Sequence, residues 1–347
     1  MKNRFAGRWK YLIPLIIIIT ILIISNLVIG SVHIPIRDIW AIITGGESEK
    51  SSWAFIILQS RLPQTITALF CGSALAVSGL LLQTVFNNPL AGPSILGINT
   101  GASLGVAIVM LLFGGSIGTS GSITLSGSLA VVFGAFIGAG LILSIILFFS
   151  TLVRSNIMLL IIGIMIGYIA SSVISLINFY ATAEGVYYYT LWGMGDFSGV
   201  SLPQLPFFCI SITAGLILAL LLIKPLNALL LGERYAENLG VPIRRTRWIL
   251  LVCTGILTAT ATAFCGPVSF IGLAVPHMAR LLLGTSNHNI LLPMTLLTGG
   301  AVALLCNLIC VLPGETGILP LNAITPILGA PVIIYVIINQ KKIQYFH

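Results

Sequence analysis

The chain has 347 residues, of which 57% are hydrophobic and only 7% are charged. A soluble domain carries about 25% charged residues, so this composition excludes a water-soluble globular protein and indicates a polytopic membrane protein. The net charge of +8 does not indicate nucleic-acid binding, because the basic residues cluster beside apolar runs, as they do in the cytoplasmic loops of membrane proteins.

Ten apolar runs follow one another along the chain, and most are long enough to cross ~30 Å of hydrocarbon as a helix. The first follows a basic head, but it is too long for a typical signal peptide and no cleavage site closes it, so we expect an uncleaved span. The fold class is therefore predicted to be all-α, with one transmembrane domain over 1–347. The predicted spans lie near 12–30, 62–86, 99–114, 127–152, 157–180, 203–223, 248–264, 269–283, 290–312 and 323–338.

The charges segregate on this map when the amino terminus is placed in the cytoplasm. All but three of the sixteen Lys and Arg residues then lie on the inner side, and only Arg37, Lys50 and Arg61 lie outside. An odd number of spans would lose this segregation. We therefore expect both termini to be cytoplasmic.

Glycines recur at four-residue spacing within three of the predicted spans. In lipid, helices gain no hydrophobic energy by associating, and small residues let their backbones pack closely instead. We predict close helix contacts at Gly101 and Gly105, Gly134 and Gly138, and Gly163 and Gly167.

Three stretches are too polar, or too rich in proline and glycine, for a plain lipid-facing helix: 83–101, 266–280 and 313–331. Irregular backbone at membrane depth is tolerated only where it is buried in protein or lines a cavity. The first two stretches lie at related positions in the two halves of the chain, which favours inverted repeats with a substrate path between them. We place the first repeat at about 61–180 and the second at about 248–338. In the third stretch we expect a broken or re-entrant helix.

The main hydrophilic stretch of the second half, 224–247, lies between two long apolar runs and carries five of the basic residues. Its polar side chains cannot lie in hydrocarbon, so we place it at the cytoplasmic face. Gly232 and Gly240 divide it into two short helical pieces, which suit docking to a cytoplasmic partner. The alternative is an ordinary connecting loop.

Aromatic residues crowd the outer loop between the fifth and sixth predicted spans. Tyr187, Tyr188, Tyr189 and Trp192 form either an interfacial aromatic belt or the wall of a vestibule against which a ring-containing ligand stacks.

Several kinds of chemistry are absent from the sequence. No GxxxxGKS or GxxxxGKT motif occurs, so any dependence on ATP belongs to another subunit. The six cysteines form no CxxC pair and the four histidines lie far apart, so we expect no metal site and no bound cofactor. No Asp or Glu lies in the middle of a predicted span, which disfavours an ion-coupled secondary transporter. An intramembrane enzyme is disfavoured because no pair of nucleophile and base is visible on neighbouring spans.

Five stretches resemble the FecCD-type permeases, which are the membrane subunits of bacterial ABC importers for ferric siderophores, haem and vitamin B12. The stretches are RLPQTITALFCGSALAVSGLLLQTVFNNPLAGPSILGINTGA (61–102), LWGMGDFSGVS (191–201), LNALLLGERYAENLGV (226–241), GPVSFIGLAVPHMARLLLG (266–284) and ITPILGAPVIIYVI (324–337).

The resemblance implies ten helices per subunit and a homodimer in the bacterial inner membrane, with the pathway along its two-fold axis. It also implies two cytoplasmic ATPase subunits, which bind ATP and Mg²⁺, and an extracytoplasmic binding protein. The chain itself would be a transport subunit and not an enzyme. A ferric siderophore or haem is the first expectation for the cargo and vitamin B12 the alternative; an ion-coupled secondary transporter is a remote third.

The resemblance also assigns roles to particular residues. Arg61 matches the arginine that meets an acidic residue of the binding protein, whereas Gln64 stands where a second basic residue often follows. Gly92 stands where the family commonly has an acidic residue, and Asn322 where it commonly has glycine. The ATPase-coupling residues would be Leu226, Asn227, Leu229, Gly232, Glu233, Ala236, Leu239 and Gly240, and the pathway and gate candidates are Asn87, Asn88, Ser155, Asn156, Tyr188 and Trp192.

Overall fold

The computed structural model describes residues 11–46, 48–113, 117–118, 124–125, 127–153, 155–313 and 317–339. Residues 1–10, Arg154 and 340–347 carry part of the predicted charge pattern and lie outside the described residues. The cytoplasmic placement of both termini therefore stays a prediction.

Helices dominate the described part of the chain, as the all-α prediction requires. A π-helical turn, Ile56–Arg61, joins the helix Ser51–Phe55 to the helix Leu62–Val85, and a second, Ile108–Leu112, extends the helix Ile98–Ala107. Two short strands, Ile117–Gly118 and Thr124–Leu125, pair in antiparallel fashion. The helices are α1 (Leu12–Val28), α2 (Ile36–Ile43), α3 (Ser51–Phe55), α4 (Leu62–Val85), α5 (Ile98–Ala107), α6 (Gly127–Leu152), α7 (Asn156–Tyr180), α8 (Ala183–Gly193), α9 (Leu205–Leu221), α10 (Ile223–Leu229), α11 (Glu233–Asn238), α12 (Ile243–Cys265), α13 (Ile271–Leu283), α14 (His288–Val311) and α15 (Leu321–Ile338).

Each predicted span coincides with an apolar helix. Within the described residues, 6 helical stretches are long and apolar enough to cross a membrane, and α9 with α10 makes a seventh that is bent by 54°. The apolar helices α1, α5 with its π-helical turn, and α13 are shorter, at 10–17 residues. The polytopic, all-α prediction is confirmed, whereas the division into two inverted repeats stays a prediction.

Helix α4 lies at the centre of the protein and contacts α9, α12, α13 and α14. The most apolar part of the continuous stretch Ser51–Val85 is 83% buried, whereas the corresponding parts of α7 and α15 are only 22% and 28% buried. The interior is therefore built around α4, and α7 and α15 present most of their surface to the outside.

Glycine pairs bring the helices into backbone contact. A Cβ atom at Gly105 would overlap the Gly134 carbonyl oxygen, and one at Gly138 would overlap the Gly101 carbonyl oxygen, so α5 and α6 cross at the predicted pairs. Helix α4 makes a similar contact that the spacing rule did not identify, because a Cβ at Gly79 would overlap the carbonyl oxygen of Gly272 on α13.

The third pair, Gly163 and Gly167, lies where α7 passes the turn before α5. A Cβ at Gly163 would lie 3.2 Å from Leu96 Cδ2, and one at Gly97 would lie 3.3 Å from the Gly167 Cα. Since Gly97 has a φ of 75°, a conformation that glycine adopts without steric cost, small residues are favoured on both sides of this contact.

The first interrupted stretch is confirmed as a break, whereas the second and third are breaks only in part, since α13 is helical from Ile271 and continues through Pro276. The chain leaves the helical conformation between α4 and α5 and again before α13, where Asn87 (φ 45°) and Phe270 (φ 64°) have positive φ. The expected break over 313–331 is wrong from Leu321 onward, since α15 continues through Pro326 and Pro331. In membrane helices, neighbouring groups and local adjustments can accommodate the backbone donors that proline lacks.

The guanidinium group of Arg61 joins α1 to α4. Its Nη1 donates to the carbonyl oxygens of Leu27 (2.8 Å) and Val28 (2.9 Å), and its Nη2 donates to the carbonyl oxygen of Val32. The last carbonyls of a helix have no partner within the helix, so this side chain caps α1 while it is itself only 7% exposed.

We expect Gly79→Ala to lower the melting temperature of the detergent-solubilised protein, because the new methyl group would overlap a backbone oxygen that cannot rotate away. The free energy of unfolding should fall by about 1–3 kcal/mol or more, since this is the usual effect of overpacking a core. Gly140→Ala on α6 is the matched control, since nothing lies within 4 Å of a Cβ at that position. Equal melting temperatures for the two variants would contradict the proposed contact.

We expect Arg61→Ala to destabilise the protein as well, since it leaves three carbonyl groups without their donor. A hydrogen bond from a charged group contributes about 1.5–3 kcal/mol, so the melting temperature should fall clearly. Arg37→Ala, at an exposed position on α2, should have little effect. A melting curve for Arg61→Ala that matches the wild type would show that this cap is dispensable.

Candidate functional site

We call the stretch 224–247, which contains the predicted ATPase-coupling residues, the coupling segment. It includes two short helices, α10 and α11, as the glycine positions indicated. Gly232 separates them with a φ of 98°, and Gly240 ends the second with a φ of 82°. Such angles are reached readily by glycine and by few other residues. The two glycines therefore set the shape of this segment.

The coupling candidates face two ways. Leu226 and Ala236 are fully buried and hold the segment against the rest of the protein. Leu239 is 64% exposed, as are two residues that the resemblance did not single out, Leu231 (61%) and Tyr235 (67%). Exposed apolar side chains on an otherwise hydrophilic segment indicate a contact surface. Asn227, Leu229 and Glu233 are partly buried, and Gly232 and Gly240 are exposed.

Glu233 connects the coupling segment to the start of α7. Its Oε1 accepts hydrogen bonds from Arg247 Nη2 (2.9 Å) and Asn156 Nδ2 (2.7 Å). Asn156 Nδ2 also donates to the carbonyl oxygen of Val85, at 2.7 Å, and Arg247 Nη1 donates to that of Val153, at 3.4 Å. This cluster brings together the ends of α4 and α6 and the beginnings of α7, α11 and α12.

A cavity of about 580 Å³ lies beside this cluster, and we call it the inner cavity. It brings together residues that are far apart in the sequence, including the breaks in the chain before α5 and before α7. Asn88 Oδ1 accepts from the Leu90 backbone N–H at 2.9 Å, and Ser155 caps α7 by accepting from the Met158 backbone N–H at 3.4 Å. Seven of the predicted residues line the inner cavity: Asn87, Asn88, Ser155, Asn156, Leu229, Gly232 and Glu233.

Tyr188 and Trp192 lie elsewhere, around a cavity of about 470 Å³ that we call the outer cavity. Phe264, Met110 and Glu184 also line it. Trp192 stacks on Tyr189, with ring centroids 6.2 Å apart, and burial raises the pKa of the Tyr189 hydroxyl, so that group stays protonated. This geometry suits a vestibule wall, whereas Tyr187 is 60% exposed and suits an interfacial belt.

The predicted docking residue Arg61 points into the protein, where it caps α1. The neighbouring Gln64 is also engaged, because its Nε2 donates to Asn307 Oδ1 at 3.0 Å. Asn307 Nδ2 in turn donates to Asn26 Oδ1 at 2.7 Å. The geometry therefore favours structural roles for both residues, and docking through Arg61 stays a prediction.

The two departures from the family pattern have different surroundings. Asn322 Nδ2 donates to the carbonyl oxygens of Gly193 (3.0 Å) and Pro267 (2.7 Å), and its Oδ1 accepts from the Ser269 backbone N–H (3.0 Å). It thereby holds α8, α15 and the loop before α13 together. Gly92, by contrast, has space beside it, since a Cβ there would meet only Leu273, at 3.9 Å.

Within the described ranges, no group of three or more His, Cys, Asp or Glu residues is placed to hold a metal ion. The six cysteines are free thiols, and all except Cys209 are buried. The expectation that this chain binds no cofactor stays a prediction.

Comparison with known proteins agrees with the motifs and the fold. The chain is 34% identical over 344 residues to a protein of Klebsiella pneumoniae named vitamin B12 import system permease protein BtuC, which covers 98% of this chain and 96% of that protein. A metal-chelate type ABC transporter solved in an inward-facing conformation superimposes with a TM-score of 0.81 at 28% identity, covering 96% and 99% of the two chains. PsaBC of Streptococcus pneumoniae, with a TM-score of 0.51 at 15% identity, shares the fold only. The sequence model of the FecCD transport family matches residues 17–339, and the chain therefore belongs to this family of membrane permeases.

Proposed function

We propose that this chain is the permease subunit of an ABC importer whose cargo is a corrinoid such as vitamin B12. The main support for this mechanism is the hydrogen bond between Glu233 and Asn156, because it connects the predicted coupling segment to the predicted gate. The choice of cargo is supported by the relatives named for vitamin B12 import. A ferric siderophore or haem is the second candidate, because the similar solved structure is described as of the metal-chelate type.

In this proposal, two ATPase subunits bind the exposed surface of the coupling segment. Leu231, Tyr235 and Leu239, which are all exposed, supply the apolar contact area. Closure of the ATPase dimer would then bias the permease between two arrangements of the inner cavity. ATP and Mg²⁺ bind to the ATPase subunits, and this chain makes no covalent bond to its cargo.

A second copy of the chain would cover the surfaces of α7 and α15. Helix α7 exposes three hydroxyl-bearing residues, Ser171, Ser172 and Ser175, and polar side chains in membrane helices usually face the protein interior or a water-filled cavity. A homodimer with its pathway between the two α7 helices satisfies this rule. The outer cavity, with Tyr188 and Trp192, would then lie near the entrance that an extracytoplasmic binding protein serves.

The direct test is uptake into proteoliposomes that contain the permease, its ATPase and the cognate binding protein. We expect ATP-dependent uptake of cobalamin, with weak or no uptake of ferric siderophores and haem. Vesicles without the ATPase should show no uptake. Transport of an iron chelate or haem in preference to cobalamin would move the cargo to the second candidate, and uptake driven by an ion gradient without ATP would contradict the proposal altogether.

We expect Glu233→Lys to reduce cargo uptake per ATP hydrolysed. Arg247 and Asn156 both donate to the Glu233 carboxylate, and lysine cannot accept either hydrogen bond and would repel Arg247. Glu237→Lys makes the same change of charge four residues later, at an exposed position on α11, and should affect transport far less. Comparable uptake ratios in the two variants would show that the contact at Glu233 does not couple the gate.

A further inference from the structure

His288 begins α14, and its side chain is completely buried. The ring lies between two elements that are distant in the sequence. Its Nδ1 is 3.1 Å from Asn227 Oδ1 on α10, and its Nε2 is 2.9 Å from Thr84 Oγ1 in the last turn of α4. The imidazole ring therefore bridges the first half of the coupling segment and the central helix.

The surrounding bonds fix the orientation of this bridge. Asn227 Oδ1 also accepts from the His288 backbone N–H at 2.8 Å, and Asn227 Nδ2 donates to Asn287 Oδ1 at 3.3 Å. The amide oxygen of Asn227 thus faces the ring, and because that oxygen can only accept, Nδ1 of His288 carries a proton. Asn227 is held by both the backbone and the side chain of His288.

The same turn of α4 is also reached from the second half of the coupling segment. Asn156 Nδ2 donates both to Glu233 Oε1 and to the carbonyl oxygen of Val85. On a third side, Arg280 Nη1 donates to Gln83 Oε1 at 2.6 Å. Three consecutive residues, Gln83, Thr84 and Val85, are therefore each bonded to a different part of the protein.

We propose that His288 is a positioning residue that transmits the movement of α10 to the end of α4, and through it to the inner cavity. Thr84 and Val85 line that cavity together with Asn87 and Asn88, so a displacement of this turn changes the cavity directly. Buried hydrogen bonds in a medium of low dielectric constant are strong and directional, which suits a rigid connection. The inference rests on the proposed function, because it requires an ATPase that moves α10.

The test compares His288→Ala, His288→Gln and the wild type in complex with the ATPase subunits. A cysteine introduced at Leu90, which is 42% exposed, reports on the loop after α4 by its labelling rate with a water-soluble maleimide, with and without ATP and vanadate. We expect nucleotide to change the labelling rate in the wild type, and His288→Ala to reduce that change about fivefold or more, which corresponds to the loss of one typical hydrogen bond of about 1 kcal/mol. His288→Gln keeps a group that reaches Thr84 and should restore part of the response.

Thr295→Val is the matched control on the same helix, since Thr295 is fully buried and its hydroxyl donates within α14, to the Leu291 carbonyl oxygen at 2.7 Å. It should leave the labelling response unchanged. Melting temperatures measured in parallel separate a loss of transmission from a loss of stability. Asn227→Leu should give the same defect as His288→Ala, and the double variant no more than either one, because both changes break one connection.

The outcomes separate this inference from the proposed function. A nucleotide-dependent labelling change in the wild type, with no uptake of any chelate, would overturn the proposed cargo and leave the transmission through His288 standing. A full labelling response in His288→Ala would overturn the inference, as would a defect in Thr295→Val as large as that in His288→Ala. No nucleotide response in the wild type would refute both.

Discussion

Hydrocarbon offers no hydrogen bonds, so each interruption of a helix within the membrane has to be satisfied by the protein itself. The two main breaks show how this is done. His277 Nε2 lies 2.7 Å from the carbonyl oxygen of Pro89 in the first break, and Asn322 bonds Pro267 and Ser269 in the second. A side chain of the second half thus bonds the irregular backbone of the first half, and a side chain of the last helix bonds the break within its own half. The fold depends on these contacts, because without them the breaks would leave buried backbone groups unpaired.

These breaks lie near α4, where the proposed gate and coupling contacts also lie. The helix is buried on nearly all sides, and its last turn leads into the break that lines the inner cavity. The coupling segment touches this region at Asn156 and through Asn227 and His288. A movement imposed from outside the membrane therefore has a short route, through polar contacts, to the centre of the protein.

The sequence was sufficient for the apolar spans, the glycine contacts of α5 and α6 and the division of the coupling segment, because these depend on local composition and spacing. It did not predict α2, α3 and α8, which lie in stretches expected to be outer loops. It was not sufficient for contacts such as that between Glu233 and Asn156, which are 77 residues apart and meet only because α7 and α11 begin at the same face. The capping of α1 by Arg61 could not be predicted for a related reason. A basic residue near the end of a predicted span suits either a surface contact or the capping of a neighbouring helix, and the choice depends on where α1 ends. The continuation of α15 through two prolines likewise depends on neighbours that spacing does not reveal.

The contact between Gly79 and Gly272 has a consequence for how such a protein can change over time. A collision between two side chains can be relieved when either one becomes smaller, but here both residues already lack a side chain and the obstacle is a backbone oxygen. No second substitution at the contact can compensate for the first. The separation of α4 and α13 is thus set by the polypeptide backbone, and adaptation to a new cargo has to proceed through the lining of the cavities while this crossing stays as it is.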